Sequence, residues 1–156
     1  MKNFIFLFVL AGLQMGAFAQ DFSKLADIKL VKAEDYKSVE EQVGKCADYI
    51  LGQALEANEL GKVQCLQFIM RWMEGTPDYT FGIGPDFVDF CGKDLNLSGV
   101  YMAALTSAAV SEKFEDKSSE QLSANAREIF LDYCADPAHG VKPNKAVKNA
   151  LKSRNS

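Results

Sequence analysis

Tyr36, Val39, Val43, Cys46 and Ile50 fall alternately three and four residues apart. That spacing gathers all five side chains on one side of an α-helix, and it would scatter them over both faces of a strand. The same period returns in Leu122, Ala126, Ile129, Phe130 and Tyr133. Beyond a short alternation at Tyr79, Phe81 and Ile83 the chain carries almost no strand signal, so the expected class is all-α.

The periodic segments have recognisable ends. A first helix is expected from about Tyr36 to Leu55, with Ser38 and Glu41 as a capping box. Asn58 is the expected N-cap of a second helix from Glu59 to Glu74, stopped by Gly75. Leu60, Val63, Leu66, Phe68, Ile69, Met70, Trp72 and Met73 make that second helix apolar on more than one side, which predicts the most buried element. Residues 75–85 carry Gly75, Pro77, Gly82, Gly84 and Pro85, too many helix breakers for anything but a loop. Pro85 suits the first position of a short helix through Cys91, ended by Gly92. A third long helix runs from about Leu95 to Phe114, and its Gly99 and many alanines predict close approach to a neighbour. Ser118, with Gln121, or Ser119 alone caps a fourth, which Asp136-Pro137 and Gly140 end. Pro143 opens a weak terminal helix.

Short links force consecutive helices to pack side by side and antiparallel. The expected architecture is therefore two antiparallel helical hairpins packed as a small bundle and joined by the Gly/Pro-rich loop. The expected organisation is a leader over 1–19, an N-terminal segment over 20–34, a helical domain over 35–140 and a basic C-terminal helix or tail over 141–156.

The leader rests on its own chemistry. Lys2 precedes an apolar run from Phe4 to Leu13, and Ala17 and Ala19 supply small residues at a cleavage site after Ala19. This pattern predicts a secretory signal peptide and a periplasmic or secreted protein. No later segment is long and apolar enough to span a membrane. Without Lys2 the net charge is about −5, which argues against general nucleic-acid binding. From Pro137 onward Lys142, Lys145, Lys148, Lys152 and Arg154 stand without an acid, leaving about −10 on the body. The tail is expected to contact either that acidic body or an anionic surface, held by charge with little apolar area.

Cys46, Cys65, Cys91 and Cys134 are isolated from one another, with no Cys-x-x-Cys, so a zinc site or a thioredoxin-like motif is not expected. In an exported chain an even number of cysteines reads as disulfides. A turn near Ala57 leaves Cys46 and Cys65 with an axial offset of about 4.5 Å across the first hairpin, and the fourth helix returns Cys134 toward Cys91. Four buried thiols are the other reading.

Enzyme signals are sparse. The single histidine, His139, sits in a turn and is expected to be exposed, with no Ser, Cys or Asp forming a catalytic set beside it. Glu74 and Asp78 flank the loop and could share a cleft as a carboxylate pair, which would make a cell-envelope hydrolase. No phosphate loop, dinucleotide fingerprint, EF-hand or metal-ligand spacing is present, so no cofactor or metal is expected. The loop reads better as a binding surface built from Glu74, Asp78, Tyr79 and Phe81, or as a plug between the hairpins.

Cys46-Ala47-Asp48-Tyr49-Ile50-Leu51-Gly52 resembles the Cys-x-x-Tyr-Ile-x-Gly start of small, exported, helical immunity proteins of the Tai type. The resemblance spans seven residues, and the closing Phe-Pro-Cys of those proteins is absent. It implies an all-helical, non-enzymatic protein that binds a toxin delivered by neighbouring bacteria. The resulting expectation is an exported helical binding module, of immunity or inhibitor type, with an unknown protein partner.

Overall fold

The computed structural model describes residues 22–57, 59–113 and 116–154. The expected leader, the expected cap Asn58 and the expected helix end Phe114 lie outside the described residues. Among these residues there are seven α-helices and no strand. They are α1 (Ala33–Ser38), α2 (Glu40–Leu51), α3 (Leu60–Gly75), α4 (Pro85–Cys91), α5 (Leu95–Val110), α6 (Ser119–Ala135) and α7 (Lys145–Arg154). Helices α2 and α3 form one hairpin and α5 and α6 the other, so the expected pair of hairpins is what the chain builds. Helix α5 lies at the centre, packed on α2, α3, α4 and α6.

The first expected helix is two. Val39 breaks the backbone between α1 and α2. The Ser38 hydroxyl does not cap α2; it donates back to the Asp35 carbonyl at 2.8 Å. Asp35 itself accepts from the backbone amides of Val31 and Lys32, at 3.0 and 2.9 Å, and ties down the entry to α1. Glu59 precedes α3 in extended backbone.

The most buried helix is α5, not α3. Ten of the sixteen residues of α5 are buried, against Cys65, Phe68, Ile69 and Trp72 in α3, which is equally long. The reason is position. Helix α5 is ringed by neighbours and is rich in Gly and Ala, which let them approach; α3 has neighbours on only part of its circumference and keeps Leu60, Val63 and Met70 exposed.

Trp72 is fully buried, and its indole N–H donates to the Tyr36 carbonyl at 3.1 Å, joining α3 to α1. A Cβ at Gly75 would collide with the Tyr36 ring, so a larger residue there would have to displace that side chain. At the end of α4, Gly92 takes φ +55°, a left-handed stop that glycine adopts at least cost.

Both segments flanking the expected domain join the core. Phe22 and Leu25 are buried, and the 3-10 turn Ser23–Asp27 lies on α3. The Arg71 guanidinium donates to the carbonyls of Leu25, at 3.3 Å, and Ile28. At the other end Val147 and Ala150 of α7 are buried against the bundle. The Asn144 side chain donates to the Asp89 and Phe90 carbonyls, at 2.9 and 3.0 Å, while its own oxygen accepts from Val147 N at 3.0 Å. Arg154 pairs with Asp132 at 2.7 Å and Glu128 at 3.7 Å. The tail therefore docks on the acidic body, as charge suggested, yet apolar burial and an N-cap hold it as well as ion pairs.

Candidate functional site

The expected binding loop is divided between core and solvent. Tyr79 and Phe81 turn inward and pack on Trp72, with ring centroids 5.5 and 5.7 Å away. Burial first, and then Glu40 beside its hydroxyl, push Tyr79 up to about 12. The Gly82 carbonyl accepts from Ser123 of α6 at 3.5 Å, which ties the loop to the second hairpin. Its apolar side is thus the plug between the hairpins, while Glu74, Asp78, Thr80 and Ile83 are among the residues that face solvent. Glu74 and Asp78 are both exposed.

His139 is not the exposed turn residue expected from its place in the sequence. Its ring stacks on Tyr133 with centroids 3.9 Å apart, and Nδ1 lies 2.9 Å from the Tyr133 carbonyl. Its own carbonyl accepts from Leu55 N at 2.8 Å, and the Tyr133 hydroxyl donates to the Gln53 carbonyl at 2.8 Å. These bonds latch the turn between α2 and α3 onto the end of α6. The histidine is a structural clasp.

That latched turn forms one wall of a groove of about 320 Å³. The other walls are the first turns of α3 and of α5. Val63, Leu66 and Leu95 supply its apolar lining, and Glu56, Glu59 and Asn96 its polar edge. Leu95 is 83% exposed, Val63 48%, and Leu60, one turn before Val63, 72%. At the floor, Gly99 leaves room for Leu66; a Cβ there would stand 3.1 Å from Leu66 Cδ2.

The polar groups of the groove are held in place. The Lys62 ammonium donates to the Leu55 carbonyl at 2.8 Å and to that of Ala54 at 3.3 Å, and burial lowers its pKa. The Tyr49 hydroxyl donates to Glu59, an interaction that, ahead of burial, pushes Tyr49 up to about 12. Asp94 caps α5 by accepting from Asn96 N at 2.9 Å and Leu97 N at 3.0 Å. The Lys62 ammonium is thus engaged as a donor and the Asp94 carboxylate as an acceptor, while Leu95 and Val63 in the groove remain to meet something else.

Sequence reasoning did not single out this groove. Its one signal was the apolarity of α3 on more than one side, which reads equally well as a fully buried helix. Among the described residues no cluster of His, Cys, Asp and Glu is arranged to hold a metal ion, and no helix is long and apolar enough to cross a membrane. In comparisons with known proteins, no family model, no curated protein and no solved structure matches the chain.

Proposed function

We propose that this protein is a non-enzymatic binding module that works outside the cytoplasm and holds a protein partner in the groove between α3 and α5. The observation that carries the reading is the meeting of Val63 and Leu95, both apolar and exposed, in one groove beside Leu66. Single apolar side chains on a surface need no explanation, whereas a contiguous set with a polar rim marks an interaction site. Glu56 and Glu59 on the rim favour a partner that presents a cation beside its apolar anchor. The Cys46–Gly52 resemblance to immunity proteins suggests the class of partner, a toxin delivered by neighbouring bacteria. Export rests on the leader read in residues 1–19.

The experiment is to place a photo-crosslinking residue at Leu95 and, as control, at Val88 of α4, which is also exposed and does not line the groove. A single protein captured at Leu95 and not at Val88, with capture lost in Val63→Asp, supports the reading. Equal capture at both positions would overturn it.

A further inference from the structure

All four cysteines are buried, and all four are free thiols in this structure. Cys46 of α2 and Cys65 of α3 meet across the first hairpin. Their mutual contact first, and burial second, raise the Cys65 thiol far above the ordinary thiol range. Cys91 ends α4, and Cys134 lies in the last turn of α6. Phe90, one residue before Cys91, stacks on Phe130, one turn before Cys134, with ring centroids 5.8 Å apart. Burial first, and the neighbouring Cys91 second, push Cys134 up to about 12. A buried free cysteine packs as an ordinary small apolar side chain. Here Cys46 and Cys65 touch across one hairpin, and the Phe90–Phe130 stack draws the segments carrying Cys91 and Cys134 together, an arrangement poorly explained by independent packing.

The two pairs differ in access. Cys46 and Cys65 are fully buried between α2 and α3, while Cys91 and Cys134 keep 3% and 5% of their surface exposed, at the end of a seven-residue helix. Thiols held this far from ionisation are poor nucleophiles once the core has closed, so oxidation belongs to the folding chain. Reductant, in turn, must reach a sulfur from outside, and the pair nearer the surface is the one it reaches first.

We propose that the protein matures with two disulfides, Cys46 to Cys65 and Cys91 to Cys134, and that the second opens first under reductant. Each bond forms as two S–H bonds are lost and one S–S bond is made. The two protons and two electrons pass to the disulfide of an oxidant, a thiol oxidoreductase or glutathione disulfide, which leaves as two thiols. The first bond staples α2 to α3. The second fixes α4, whose last carbonyls anchor Asn144 and hence α7, to α6.

The test is to refold the protein in a glutathione redox buffer, block free thiols in denaturant and map the linked peptides. The expected product is lighter by four hydrogens than the reduced chain and yields only the Cys46–Cys65 and Cys91–Cys134 peptides. Stepwise reduction of the native protein is then expected to free Cys91 and Cys134 while the first pair stays linked. Free thiols after refolding, linkage of any other pair, or release of Cys46 and Cys65 first would each overturn the proposal. A Cys91→Ala, Cys134→Ala variant retaining the Cys46–Cys65 linkage separates the two bonds where reduction of the wild type is too fast to resolve.

Discussion

Helices α3 and α5 are equal in length and lie in different environments. Both are sixteen residues long and rich in apolar side chains. Helix α5 spends its apolar surface on four neighbouring helices, with Gly99, Ala103, Ala104, Ala108 and Ala109 setting the close approach. Helix α3 commits one face, from Cys65 through Phe68 and Ile69 to Trp72, and leaves Leu60, Val63 and Met70 outside. The surplus on α3 has no role in holding this bundle together. It is therefore the part of the molecule where an apolar residue asks for a partner.

The contrast can be broken most severely at the committed face of α3. Trp72→Ala is expected to cost about 3 to 5 kcal/mol, through the cavity it leaves under Tyr79 and Phe81 and the lost bond to Tyr36, and that can approach the whole stability of a domain this size. Chemical denaturation measures it. A variant melting with the wild type would move Trp72 out of the core.

Removal of residues 144–156 comes next, at about 1.5 to 3 kcal/mol from the burial of Val147, an upper estimate. Because exposed ion pairs are individually worth under about 1 kcal/mol, the loss should persist at high salt. A loss that vanishes in salt would return the tail to a purely electrostatic contact. Crowding the centre is the corresponding probe of α5: Ala104→Leu, at a fully buried position, is expected to cost about 1 to 3 kcal/mol by overpacking. If the melting temperature holds, α5 is less tightly ringed than described.

The smallest expected effect sharpens the comparison. Leu95→Asp and Val63→Asp should leave stability within about 0.5 kcal/mol, since neither side chain is committed to the core. Both should abolish partner capture at the groove. Large destabilisation by either would make these residues structural and remove the reason to read the groove as a site.

Much of the helical architecture was legible in the sequence because its signals are local. The three-four spacing, Pro85 at the start of α4 and Ser118 at the cap of α6, which accepts from Gln121 N, act within a few residues and needed no partner to be read. Glycine and proline between residues 75 and 85 likewise placed the loop. The break at Val39 was missed because Tyr36 and Val39 keep the apolar period across it, so periodicity runs on where the backbone does not.

Only the tertiary structure decided which apolar helix is central, which loop aromatics turn inward and where apolar surface is left over. Hydropathy reports that a side chain gains by leaving water and not whether a neighbour is there to receive it; that depends on elements distant in the chain. His139 makes the same point on a smaller scale: its turn was plain in Asp136-Pro137 and Gly140, but the Tyr133 ring it stacks on and the Leu55 amide it accepts from are brought to it by the fold.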